Sequence, residues 1–339
     1  MDITECIFEL SAAGGVTGLN GAVDAAATEL SRYGEVLRDP FGGLRVTISG
    51  RSAHHILLDA HIDEIGLIVT AVEEGGFVRF GKCGGVDVRV LGAADVTIWG
   101  RQPVPGVVCC RVPHLTKPGD KLPDIEDMAI DTGLTGDGLR EMIQPGDRIT
   151  FAMEPAKLLN GKITGKSLDN RSGCAVLIDT AARIIEGGKP ACTVTICLSE
   201  QEEVGCRGAA SAVYAVHPDE AIVVDVSFGD MEGTPAHQCG ALSKGPMIGI
   251  SPTLSGEVTD RLIQLAEQKG IPYQREVMGG RTSTNADAIS VAGAGVRAGL
   301  VSIPLRYMHT PVEVIDGLDV SGTAALLAAY IDAGGIAHD

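Results

Sequence analysis

An alternation of helix-like and strand-like segments that stops once and then resumes constrains this 339-residue chain more than any other feature. Over the first sixty residues, 3–13 and 23–33 carry apolar residues at helical spacing, with Gly18-Leu19-Asn20-Gly21 as the break between them. Residues 44–48 alternate like a half-buried strand, and 56–60 (Ile-Leu-Leu-Asp-Ala) read as a more buried one. After Gly161 the rhythm returns. Helices are expected at about 171–185, 208–216, 257–268 and 318–332, and strands at 193–198, 221–226 and 299–303. Strands alternating with helices imply an α/β fold, a mostly parallel sheet with helices on both faces.

Between residues 73 and 155 the texture is different. Short β-like runs at 77–80, 94–99, 106–112 and 148–151 are broken by Gly, Pro and Asp, with no long helix among them. Such a stretch reads as a small β-barrel-like domain inserted into one α/β domain. The expected division is a first catalytic part over 1–70, an inserted β-rich domain over 71–160, and a second catalytic part over 161–339. No internal repeat or low-complexity tract is present.

Composition narrows the function. A net charge of −17 disfavours nucleic acid and anionic membranes, and an aromatic content of 4% leaves little for base stacking. No apolar run approaches membrane-spanning length, and Met1-Asp2-Ile3-Thr4-Glu5-Cys6 lacks the regions of a signal peptide. Nine cysteines without a C-x-x-C pair argue against a disulfide framework and a Cys-rich zinc finger. The cytoplasm is the expected compartment.

The chemistry is carried by strand ends. Glu202-Glu203 stand side by side just beyond the apolar run 193–198. Adjacent carboxylates repel, so a fold keeps such a pair there when something cationic compensates, unless the pair is only a solvated acidic turn. One glutamate can ligate a metal while its neighbour takes a proton from water. His61-Ile62-Asp63 follow the strand 56–60, Asp169 precedes the helix near Arg171, Asp225 closes the strand 221–224, and His309 follows the strand and loop 301–308. In an open α/β sheet, ligands bind beyond the carboxyl ends of the strands. Imidazole mixed with carboxylate, without thiolate, suits catalytic zinc, cobalt or manganese, and the supply is enough for two metals. Each residue alone has a plainer account: a core histidine for His61, a helix N-cap for Asp169-Asn170, an Asx-turn for Asp225, a loop residue for His309. Their joint occurrence carries the argument.

With these motifs the sequence resembles the co-catalytic metallo-aminopeptidases of the glutamyl or deblocking type, whose members build large tetrahedral particles. The matching segments are Asp59-Ala60-His61-Ile62-Asp63-Glu64-Ile65-Gly66, Ser167-Leu168-Asp169-Asn170-Arg171, Gln201-Glu202-Glu203-Val204-Gly205, Val224-Asp225 and Arg306-Tyr307-Met308-His309-Thr310-Pro311. Pro105-Gly106-Val107 and Ile125-Glu126-Asp127 in the insertion extend the match over nearly the whole chain. The resemblance implies that His61 and Asp225 hold one metal, Glu203 and His309 the other, and that Asp169 bridges them. It implies Glu202 as general base and Asp63 as the group that orients His61. Two divalent cations, zinc first with cobalt or manganese accepted by the same donors, sit about 3.5–4 Å apart in such sites and share a hydroxide. The implied substrates are short peptides cleaved at the N-terminal residue, and the implied assembly is a twelve-subunit homo-oligomer made through the inserted domain.

Where many family members read Gly-Thr-Asp-Ala, this chain has Thr284-Asn285-Ala286-Asp287-Ala288, a loop expected to line the substrate pocket. His54, His55, His114, His217, His237 and His338 lie outside the motifs and read as surface or packing residues, with His237 and Cys239 the pair placed to sit near the site. Competing readings are a dinuclear-metal dipeptidase or N-acyl amidohydrolase using the same ligands, and a non-catalytic metal-bound peptide-binding scaffold. Some relatives carry an endoglucanase label, but a glycosidase needs two carboxylates flanking the sugar and no metal cage.

Overall fold

The computed structural model describes residues 2–109, 113–115 and 123–336. Helices α1 (Ile3–Ala12) and α2 (Gly21–Leu30) precede strands β1 (Leu37–Arg38), β2 (Leu44–Ile48) and β3 (His55–His61). Six strands then close into a barrel: β4 (Gly66–Val72), β5 (Phe77–Cys83), β6 (Asp95–Trp99), β7 (Pro103–Cys109), β8 (Ala129–Asp131) and β9 (Arg148–Phe151). A short helix, α3 (Gly136–Met142), lies between β8 and β9 and is capped by the Thr135 hydroxyl. The chain continues through β10 (Ala156–Lys157), β11 (Lys162–Gly165), the long α4 (Leu168–Glu186), β12 (Thr193–Ser199), α5 (Arg207–Val216) and β13 (Glu220–Phe228). It closes with β14 (Met247–Ile250), α6 (Gly256–Lys269), β15 (Gln274–Val277), α7 (Asn285–Ser290), β16 (Arg297–Leu305), β17 (Glu313–Asp316) and α8 (Gly317–Asp332).

Eight strands form one sheet in the order β1-β2-β12-β3-β13-β16-β14-β15. Its centre, β12-β3-β13-β16, is parallel throughout. These are the strands whose apolar residues run together, because both faces are covered and all but a few end residues are buried. The sheet is mixed: β2 joins β12 and β14 joins β16 antiparallel. In β2 buried and more accessible residues alternate, as they do in a strand with one wetter face. Helices α1, α2, α4, α6 and α8 cover one face, and α5 and α7 the other, each with its own apolar core. The barrel encloses a third, built from residues such as Leu67, Phe80, Ile98 and Ile149.

Local departures from the sequence reading have simple causes. The run expected at 106–112 is paired from Pro103 to Cys109, and residues 110–112 lie outside the described residues. Strands β8, β10, β11, β14, β15 and β17 are two to four residues long, too short to show a period. Asp169 and Asn170 have non-helical backbone angles at the start of α4, so the regular helix begins at Arg171. Among the described residues no helix is long and apolar enough to cross a membrane.

Candidate active site

The parallel strands all point their carboxyl ends at one edge of the sheet, where the barrel also departs from β3. His61 is the last residue of β3, and Asp63 lies two residues on. Glu202 and Glu203 follow β12, Asp225 lies within β13 near its carboxyl end, and His309 sits in the loop between β16 and β17. Asp169 is at the irregular start of α4, where its peptide bond to Asn170 is cis. Asn170 pins that start to the sheet: its amide donates to the Val224 carbonyl at 2.8 Å and its carbonyl accepts from Gly173 N at 3.1 Å. Ser167, Gln201, Tyr307 and His309 all adopt left-handed backbone conformations, with φ between 52° and 68°. For non-glycine residues each costs about 1–3 kcal/mol and persists where surrounding contacts over-determine it.

All seven residues singled out in the sequence meet here. His61 Nε2 lies 3.1 Å from Asp169 Oδ1 and 3.7 Å from Asp225 Oδ1. His309 Nε2 lies 3.3 Å from Asp169 Oδ2 and 3.6 Å from Glu203 Oε2. The two oxygens of Asp169 thus face different imidazoles. Ligand-type atoms of His61, Asp169 and Asp225 fall within 4.8 Å of one another, as do those of Asp169, Glu203 and His309. His61, Glu202 and Glu203 make a third such group.

A surrounding layer fixes these side chains. The Nδ1 of His61 is 3.1 Å from the Asp63 carbonyl oxygen and 3.6 Å from its carboxylate. That carboxylate is occupied elsewhere: it accepts from the backbone N–H groups of Glu202 (3.1 Å) and Glu203 (3.3 Å) and from the Thr17 hydroxyl (2.8 Å). Asp63 therefore places the glutamate pair as well as the imidazole. Glu313, which the sequence reading did not single out, accepts from Asp169 N at 3.1 Å and from His309 N at 2.9 Å. Its one sequence cue is its place four residues after His309. The Gly84-Gly85 turn that ends β5 packs on the cluster so closely that a Cβ at Gly85 would lie 2.5 Å from the His309 ring. Behind the site, buried Glu64 accepts from Lys166 Nζ at 2.9 Å and Gly15 N at 2.8 Å. Cys206 donates to Glu202 Oε1 at 3.2 Å.

The electrostatics are unbalanced. Burial opposes the His61 imidazolium, but Asp169, Asp225 and Asp63 outweigh it and hold the ring well above the usual histidine value. Asp169 raises His309 in the same way. Burial pushes Asp169 up, yet the His309 and His61 rings carry it below the ordinary carboxylate range. Burial raises Glu202 to about 7, and burial with the neighbouring Asp169 charge raises Glu203 and Glu313 well above the ordinary carboxylate value. Asp225 is raised by burial as well. Two rings do not compensate these six carboxylates in a low-dielectric pocket. Glu203 Oε1 is buried without any hydrogen-bond partner. Divalent cations would supply the missing charge and the missing partner, and the nitrogen and oxygen donors fit them.

A cavity of about 500 Å³ opens from the cluster and is bordered by Ser227, Met247, Glu276 and Met278. His237, Cys239 and Thr284 also line it. Asn285 does not: its amide donates to Asp59 and Ser199, both at 2.9 Å, beneath the site. His54 and His55 lie at the opposite edge of the sheet, against Glu220 and Thr195 respectively. His114 and His217 have no place in the cluster. His338 lies outside the described residues.

Comparison with known proteins places this geometry among peptidases. Residues 42–326 match the model of the M42 glutamyl aminopeptidases. A lysyl aminopeptidase of Pyrococcus furiosus is 30% identical over 307 residues, covering 88% of this chain and 87% of its own. The aminopeptidase APDkam598 of the archaeon Desulfurococcus kamchatkensis superposes with a TM-score of 0.92 at 31% identity, covering 98% of this chain and 94% of its own. The TET1 peptidase of Pyrococcus horikoshii, described as able to assemble into a tetrahedron or a large octahedral shell, gives 0.86 at 26% identity, covering 97% and 99%.

Proposed function

The chain belongs to the M42 glutamyl aminopeptidase family and is an aminopeptidase; from that premise we propose that it removes N-terminal residues from short peptides, with Glu202 as general base and two divalent cations as cofactors. The observation that carries this reading is Asp169, whose two oxygens each face a different imidazole. M42 aminopeptidases are metal-dependent. His61 and Asp225 are read as holding one cation, Glu203 and His309 the other, with Asp169 serving both. Zinc is the first choice, and cobalt or manganese suit the same donors. When bound, such a pair supplies Lewis acidity and lowers the pKa of water.

The rest falls to the chain's own groups. Glu202 takes the proton of the attacking water and returns it to the departing amine nitrogen. Asp63 keeps Glu202 beside Glu203 through their backbone N–H groups and fixes the tautomer of His61 through its carbonyl. The cavity receives the first residue of the peptide. The inserted domain, expected over 71–160 and built of barrel strands that run from Gly66 to Phe151, is read as the assembly domain of a catalytic body formed by the parts on either side. It would build a large homo-oligomer, a dodecamer, as the TET1 peptidase builds a shell. Light scattering that finds a fully active monomer removes that part. The cytoplasm is the proposed compartment, in keeping with the buried thiols of Cys6, Cys174 and Cys197.

The deciding experiment separates two adjacent residues. Glu203→Gln is expected to lose metal on elemental analysis. Glu202→Gln is expected to keep it, bind peptide, and lose about 10²–10⁴-fold in kcat, because its amide accepts no proton. Metal loss in Glu202→Gln but not in Glu203→Gln would swap the roles, and two fully active variants would refute both.

A further inference from the structure

We infer that Glu276 is the specificity-determining residue of the cavity, its carboxylate forming the floor for the first side chain of the substrate and favouring lysine or arginine there. The inference rests on the aminopeptidase reading and deepens it. In an exopeptidase of this kind, the free amine and the scissile carbonyl sit at the Asp169 cluster. The first side chain must then leave through the cavity that opens from that cluster.

Strand register explains why a carboxylate lies at its floor. Glu276 on β15 is in register with Gly249 on β14, which presents no side chain. It therefore reaches across β14 to β16, where the Ser302 hydroxyl donates to its Oε2 at 2.7 Å. The Ser227 hydroxyl donates to its other oxygen. Ser302 is itself the register partner of Asp225, and Ser227 lies two residues beyond Asp225 on the same face of β13. The carboxylate is thus tied to the same sheet face as a proposed metal ligand, one wall away from the chemistry.

Its partners are neutral. Each oxygen takes one hydroxyl and keeps lone-pair capacity for a further donor. Among the described residues no cationic side chain pairs with it within 4.0 Å. Two arginines border the cavity, but neither answers this charge. Arg281 is exposed and bonded to Asp287 at 3.4 Å. Arg275, next in β15, borders this cavity and a second cleft with Asp260, and it forms no ion pair with Glu276 within 4.0 Å. A part-buried carboxylate held only by hydroxyls gains most from a desolvated cation, and it repels an acidic side chain. Met247 and Met278 beside it suit the methylene stem of lysine or arginine.

The test uses the metal-loaded enzyme on lysyl, arginyl, leucyl, alanyl and glutamyl anilides. Lysyl and arginyl substrates are expected to exceed leucyl by about tenfold or more in kcat/KM, and Glu276→Gln to lower the lysyl-to-leucyl ratio by about 10–100-fold. Leucyl or glutamyl substrates turning over fastest would overturn the inference and leave the aminopeptidase reading standing. So would a Glu276→Gln variant that lowers all five equally. No hydrolysis of any substrate would refute both.

Discussion

Replacing Glu313 by glutamine tests whether the ligands are held by their own packing or by this buried carboxylate. Both carboxylate oxygens are in use, Oε2 for Asp169 N and Oε1 for His309 N. Burial and the nearby Asp169 charge push Glu313 up, and the backbone N–H groups of Asp169, His309 and Leu168 pull it back. Because each oxygen accepts, the geometry uses the ionised form. Glutamine keeps one acceptor and turns an NH₂ group toward the other N–H. A hydrogen bond to a charged group is lost at a cost of about 1.5–3 kcal/mol, with an unsatisfied buried donor left behind. The lost bond falls on the backbone of Asp169 or His309, so about 2 kcal/mol should appear as roughly 30-fold weaker metal binding. Competition titration of the metal-free protein with zinc against a chromogenic chelator measures this directly. Glu313→Asp, which keeps the charge but reaches only one donor, should fall between. Zinc affinity and kcat/KM within about twofold of the parent for Glu313→Gln would refute the argument and leave Glu313 as a strand residue only.

Two further outcomes are expected. Gly85→Ala puts a methyl group 2.5 Å from the His309 ring, so it should lower kcat/KM by at least about tenfold through displacement of that ligand, an effect of the kind a small misplacement produces. Full activity in Gly85→Ala would show that the turn yields instead. Removing metal should lower the melting temperature, because a ligand at 100 times its Kd adds about 2.7 kcal/mol to the folded state and its loss frees the carboxylates to repel. Equal melting curves by calorimetry with and without chelator would count against structural metal binding in this cluster.

The parts legible in the sequence were those with a period or a motif. The apolar runs of β3, β12 and β13 read directly as buried parallel strands, and the ligand-type residues at their ends read as one edge. The antiparallel pairing of β14 with β16 was not legible, since a four-residue strand has no period and its partner is set by tertiary packing. Glu313 and Glu276 were missed for a related reason. A single glutamate in a short strand looks like surface, and only the register of neighbouring strands brings it inward. Gly84-Gly85 was not singled out, because nothing local says that a histidine more than two hundred residues later will pack against it.

That distance has a consequence for how the molecule is made. The cluster draws on residues from His61 to Glu313, so its contacts are among the most remote in the chain and pay their loop-closure entropy last. A growing polypeptide that has completed β3, the barrel and even β13 still lacks His309, and with it one of the two imidazoles that Asp169 faces. The barrel must also have closed for the β5 turn to press on that ring. Destructive capacity is therefore acquired late, after most of the strands that could otherwise be attacked as loose chain have been made.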